Sequence, residues 1–249
     1  MSFVDITGAT YAYRSGTESE IIVDQVDWSI GEGEFHCLVG RSGCGKTTFL
    51  KVTAGLLKPT SGAVFIQGAP VLEPSSKVGF VFQTPTLLEW ESVLDNVLLP
   101  ISLKRRVREA DRRNAAELLA LVGLTAYSRR YPLELSGGQQ SRVAIARALI
   151  VEPLVLLLDE PFASLDAITR EELQIDLLRL CQLRRTTVLF VTHDIGEAIY
   201  LADRVAVMER GRFRHTLTVD LPRPRDPEIR YSPRFNQLCR ETHQAMDTP

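Results

Sequence analysis

At 249 residues, with 45% apolar and 24% charged side chains, the chain can bury a large core and has the composition of a folded globular protein. A formal charge of −2 leaves no basic excess, which argues against a nucleic acid partner. The opening MSFVDITGAT lacks a basic stretch followed by an apolar one, and the longest apolar runs fall far short of the ~20 residues of a spanning helix, so a cytoplasmic protein is expected.

In chain order, the first third alternates apolar and polar residues (FVDITGATYAY, IIVDQVDWSI, EFHCLVG, GAVFIQG) between glycine turns, the pattern of a β-rich lobe. GRSGCGKTTFLKVTAGLL then starts a helix, and from about Leu87 to Leu149 the texture is helical, READRRNAAELLALVGL having apolar positions three and four apart. The charge run KRRVREADRR, residues 104–113, reads as a solvated helix face, because Glu109 and Asp111 interrupt it. Beyond it LVLLLDE, TTVLFVTHD and RVAVMERG are strand runs alternating with the helices AITREELQIDLLRLCQL and IGEAIYLAD, the rhythm of a buried, mainly parallel sheet. The proline-rich tail after residue 217 reads as an extended edge followed by a short helix. Cys37, Cys44, Cys181 and Cys239 are scattered, without a CxxC pair, and are expected to be reduced thiols.

Gly40-Arg41-Ser42-Gly43-Cys44-Gly45-Lys46-Thr47 fits GxxxxGK[ST], between an apolar strand and a helix. In a loop of this kind backbone N–H groups wrap the β-phosphate, Lys46 reaches the β- and γ-phosphates, and the Thr47 hydroxyl is placed to ligate Mg²⁺. With Thr48 following, these are the expected ATP-binding residues. LVLLLDE ends in Asp159, a carboxylate suited to the Mg²⁺ shell, and Glu160 follows where an acid can polarise the water that attacks the γ-phosphate. A second glycine-rich stretch, Leu135-Ser136-Gly137-Gly138-Gln139, opens another helix and is also suited to an anion.

The order of the P-loop, Gln83 in GFVFQ, LSGGQ (135–139), LVLLLDEP (154–161), ASLD (163–166) and VTHD (191–194) resembles the ATP-binding-cassette ATPases over nearly the whole chain. The resemblance implies an α/β fold: a P-loop NTPase core (1–86 and 150–216) with an N-terminal antiparallel β lobe, an inserted helical subdomain (87–149) and a C-terminal tail (217–249), all one domain over 1–249. It implies that Gln83 senses Mg²⁺ and the attacking water, that His193 contacts the γ-phosphate, and that Asp166 couples two active sites. Tyr13 or Tyr11 stacks on adenine, the family pattern favouring Tyr13. Leu135–Gln139 completes the ATP site of a second copy, Ser136 and Gly138 facing the partner's phosphates, so a homodimer on ATP binding is implied.

The family also implies two transmembrane permease subunits, with a solute-binding protein acting through them. TPTLLEWESVLDNVLLP offers Leu87, Leu88, Trp90, Val93 and Val97 either to an apolar docking groove or to the helical core. Several segments, THDIGEAIYLADRV and VDLPRPRD among them, look most like the ATPases of nitrate, sulfonate and taurine importers, whose place is the cytoplasmic face of a bacterial inner membrane. Thiamine-precursor importers are similar, and a soluble cassette ATPase acting on nucleic acid or ribosomes is the rival class. Glu89 and Glu91 flank Trp90 where those importers commonly differ. No β-barrel segment is read after the tail, which argues against the sugar and polyamine importers as the expected branch.

Overall fold

The computed structural model describes residues 2–15 and 18–247; positions 1, 16–17 and 248–249 of the chain-long domain expected above lie outside them. The chain runs β1 (Val4–Ser15), β2 (Glu18–Ile30), β3 (Phe35–Val39), α1 (Lys46–Thr53), β4 (Ser61–Ile66), β5 (Ala69–Pro70) and β6 (Val78–Val81). Helices α2 (Val93–Ser102), α3 (Glu109–Leu121) and α4 (Gly137–Leu149) follow, then β7 (Val155–Asp159), α5 (Ala167–Arg184), β8 (Thr187–Thr192) and α6 (Ile195–Leu201). The last elements are β9 (Arg204–Glu209), β10 (Arg212–Thr218) and α7 (Pro233–Asp247). Two compact units result, Met1–Ser75 with Arg185–Pro249, and Ser76–Arg184.

The first unit holds an antiparallel sheet in the order β2-β1-β4-β5. Its register sets Val4 opposite both Ile30 and Ile66, three buried residues on one face, as the period of two requires. In the same unit β3 pairs in parallel with β8 and β9, and β10 lies antiparallel on β9. EFHCLVG, grouped above with the β-rich lobe, belongs to this parallel sheet instead. Every residue of β3 and β8 is buried, so neither strand has a solvated face. His36 sits fully buried inside β3, its Nε2 2.8 Å from the Glu34 carboxylate and its ring edge-on to Trp28.

The tail is more structured than an edge with a short helix. α7 runs for fifteen residues and buries Phe235, Leu238 and Thr242, one face at helical spacing. Arg225 anchors the tail: its guanidinium, mostly buried, donates to the carbonyls of Tyr200, Ala202, Leu221 and Pro222. That fork satisfies carbonyls at the end of α6 that the helix leaves without an internal donor.

In the second unit β6 and β7 pair in parallel, Val81 opposite Leu158. α2 packs on α3 and α4, and Val93 and Val97, four residues apart, are fully buried. Those two therefore belong to the core rather than to a groove, whereas Trp90 is 73% exposed. The charge run is not one helix face. Residues 104–108 precede α3, because the Asp111 carboxylate accepts the Arg108 N–H and both ends of the Arg105 fork, which caps the helix at that point. The paired arginine holds Asp111 down at about 2. Among the described residues the four cysteines are free, no group of three or more His, Cys, Asp or Glu could hold a metal, and no helix is long and apolar enough to cross a membrane.

Candidate nucleotide site

Gly40 to Cys44 loop from the end of β3 to α1, and Gly45 precedes that helix at φ 106, ψ 0, a backbone region that L side chains rarely adopt. No side chain caps α1, so the first-turn N–H groups point out of the helix end, the arrangement that binds anions. Lys46, 5% exposed, lies along the loop and donates to the carbonyls of Gly40 (2.7 Å) and Arg41 (3.0 Å). The loop packs tightly at its base. A Cβ on Gly40 would collide with the Met208 carbonyl, and one on Gly45 would lie 2.5 Å from the Ile22 carbonyl. Arg41, Ser42, Gly43 and Thr47 are exposed at the rim, and Thr48 is half-buried. Burial pushes the Cys44 thiol up in spite of the Lys46 ammonium beside it.

His193 follows β8 directly and is exposed. β3 and β8 run in parallel with Val39 opposite Thr192, so the loop and His193 leave the same end of neighbouring strands. The carboxyl ends of parallel strands are where such sheets bind ligands. Tyr11 and Tyr13, two apart on β1, share a face with ring centroids 5.0 Å apart; Tyr13 is 47% exposed and Tyr11 is half-buried.

The second unit repeats that logic. Gln83 lies just past the end of β6, and Asp159 ends β7, with Val81 and Leu158 in register. Asp159 is buried, and Glu160 after it holds φ 43, a left-handed conformation costing ~1 kcal/mol or more for a residue with a Cβ. Strain of this kind persists where the surroundings fix a side chain in one direction.

Ser136 caps α4. Its Oγ accepts the Gln139 N–H (3.3 Å) and the Gln139 side chain accepts the Ser136 N–H (3.0 Å), a reciprocal capping box. The third-residue N–H at this helix end is thus already taken by the Ser136 hydroxyl. Gly137 and Gly138 are not among the positive-φ glycines, and Gly138 is closely packed: a Cβ there would lie 2.5 Å from the Thr169 methyl, which would have to move. Leu135 is buried beside them. Asp166 immediately precedes α5 and accepts the Thr169 N–H at 3.0 Å, which holds its carboxyl below the usual range.

Two ordering residues escape a reading of motifs. Asn96, fully buried in α2, accepts the Leu88 N–H and donates to the carbonyls of Leu88, Glu91 and Ser92, so it fixes the loop that carries Trp90. Arg147, on α4, bonds the chain just after Gln83. A polar residue interrupting an apolar helix is the signal both leave in the sequence: NVLL for Asn96 and AIARALI for Arg147.

Residues 23–163 match the family described as ABC transporter. The chain is 43% identical over 243 residues to the nitrate import ATP-binding protein NrtD of Synechococcus elongatus, covering 95% of this chain and 88% of that one. It is 41% identical to the bicarbonate transport ATP-binding protein CmpD of a Synechocystis species, covering 95% and 86%. Among solved structures, the ATP-binding cassette MJ0796, a dimer in a post-hydrolysis state bound to ADP and Pi, is similar at a TM-score of 0.79 and 34% identity, covering 88% of this chain and all of that one.

Proposed function

Because the chain belongs to the ABC transporter family, we propose that it is the ATPase subunit of a bacterial importer for a small solute of the nitrate, sulfonate or taurine type. It binds and hydrolyses ATP, and hydrolysis is coupled to transport. The observation that carries the reading is the uncapped helix behind Gly40–Gly45, with Lys46 laid along the loop and His193 leaving the neighbouring strand on the same side.

In this reading the N–H groups of Arg41 to Thr48 and the Lys46 ammonium hold the phosphates, whose charge suits a helix N-terminus. Tyr13 stacks on adenine, its exposed ring being more available than that of Tyr11. Thr47, Gln83 and Asp159 can each present an oxygen, the ligand atom a hard cation such as Mg²⁺ prefers, and the buried Asp159 is the carboxylate among them. The ion, when bound, offsets phosphate charge. Glu160 takes the proton side of the attacking water while His193 holds the γ-phosphate. Ser136, Gly137 and Gly138, with Leu135 and Gln139 supporting them, face the ATP of a second copy, and Asp166 links the two sites. A two-fold dimer then forms on ATP binding and loosens after hydrolysis.

Two permease subunits at the cytoplasmic face of the inner membrane receive the motion, and a solute-binding protein supplies them. A cleft of about 490 Å³ in the second unit, lined by Pro100, Ile101, Lys104, Arg105, Ile150 and Val151, with exposed Trp90 on the same unit, offers a permease helix both apolar contact and charge. No nucleic acid partner is part of this reading. Co-expression with the permease and its solute-binding protein tests it: the chain should fractionate with membranes, and nitrate, an alkanesulfonate or taurine should stimulate ATP turnover. Stimulation by a thiamine precursor alone would move the solute class, and recovery with ribosomes or nucleic acid would overturn the importer.

A further inference from the structure

Arg147 is half-buried in a helix whose flanking residues, Val143 to Ala146 and Ala148 to Ile150, are all buried. Its guanidinium meets three neutral oxygens of one short segment. Nη1 donates to the Thr86 carbonyl at 2.9 Å, and Nη2 donates to the Pro85 carbonyl at 2.7 Å and the Thr86 hydroxyl at 3.2 Å. No carboxylate contributes, and burial alone pulls its pKa down. A cation desolvated for two carbonyls and a hydroxyl stabilises little by charge pairing, but a planar fork gripping two successive residues fixes a segment's position well. The gripped segment is not relaxed. Thr86, β-branched, holds φ 46, a conformation such residues avoid unless their surroundings impose it.

The placement of this grip gives it a role. Pro85 and Thr86 come two and three residues after Gln83, and the same helix begins at the Ser136 cap, eleven residues or ~16 Å before Arg147. The far side of the loop is tied separately by Asn96. We infer that Arg147 is a positioning residue: it locks the segment carrying Gln83 to the helix carrying Ser136, so that a shift of either is delivered to the other. The inference rests on the assignment of Gln83 to the metal and attacking water.

The test is a cycle of variants of the full chain: Arg147→Met, Gln83→Ala and both together, with kcat and KM for ATP measured at saturating Mg²⁺ and Tm alongside. Arg147→Met should lower kcat about tenfold or more while KM moves within about twofold, because no P-loop contact is touched. In the Gln83→Ala background the same change should cost almost nothing further, since the group that Arg147 positions is already gone. Arg147→Lys, charged but unable to span three acceptors, should behave like Arg147→Met. Arg147→Lys also decides the question should Arg147→Met fold poorly, because it keeps the stem and the charge and loses only the fork: its Tm should stay near that of the wild type while kcat falls. Wild-type kcat in Arg147→Met or in Arg147→Lys, or losses that multiply in the double variant, overturns the inference while leaving Gln83 in its role. Wild-type turnover in Gln83→Ala removes the Gln83 assignment, and the inference with it.

Discussion

Two glycines of the phosphate loop separate conformational strain from close packing. Gly43 holds φ 80 with nothing within 4 Å of where a Cβ would sit, whereas Gly45 holds φ 106 with the Ile22 carbonyl 2.5 Å away. Gly43→Ala should therefore cost only the left-handed backbone, ~1–2 kcal/mol. Gly45→Ala pays that strain and must also push a backbone carbonyl of β2 aside, adding ~1–3 kcal/mol of overpacking. For a chain of this length each kcal/mol lowers Tm by ~2–4 °C, so Gly45→Ala should melt ~2–12 °C below Gly43→Ala. Thermal unfolding of both variants, followed by circular dichroism in one buffer without nucleotide, measures the difference. If Gly43→Ala melts at or below Gly45→Ala, close packing does not shape the base of this loop and the account of Gly45 fails.

Other consequences follow from the same geometry. Glu160→Gln should keep ATP affinity, lose nearly all turnover and accumulate an ATP-bound dimer on size exclusion; wild-type turnover would remove Glu160 from its role. Because burial raises the Cys44 thiol, its alkylation should be slow near pH 7, quicken as pH rises, block ATP binding when complete and be prevented by ATP. Full labelling with unchanged ATP binding would contradict the placement of Cys44 against the loop. His36 is held below the ordinary histidine range by burial, although Glu34 partly opposes this. Its unfolded form binds the proton more readily, so stability should be complete above ~6.5 and decline as pH falls toward the folded value. His36→Gln should flatten that part of the Tm profile between pH 7 and 5, and an unchanged slope would assign it to other groups.

Most of the fold is legible where one local rule decides it. β7 and β8 are unbroken apolar runs and emerge as strands buried at every position, and α1 begins at Lys46, where the GK[ST] spacing puts it. β3 misled because Glu34 and His36 alternate with Phe35 and Cys37 and imitate a half-solvated strand, while the imidazole is buried all the same and bonded to Glu34. Val93 and Val97 could equally line a groove or a core, and only the packing of α2 on α3 and α4 decides between them. The phosphate-loop residues and the strand-end acids were visible as chemistry. The hold on the segment after Gln83 was not, because Arg147 reaches it across sixty residues by side-chain bonds to backbone, which leave no periodic trace. The close approach of the Thr169 methyl to Gly138 was likewise not legible, because it joins two helices thirty-one residues apart in the chain.

The central claim is that each ATP site is completed by a second copy through the Ser136 helix end. Ser136→Arg places a long side chain at that end and removes the cap, which costs only ~1 kcal/mol, so the chain should still fold. With Mg²⁺ and ATP, the account requires that this variant bind one ATP per chain with near wild-type affinity, elute as a monomer and fail to hydrolyse. Hydrolysis at the wild-type rate by Ser136→Arg would contradict it.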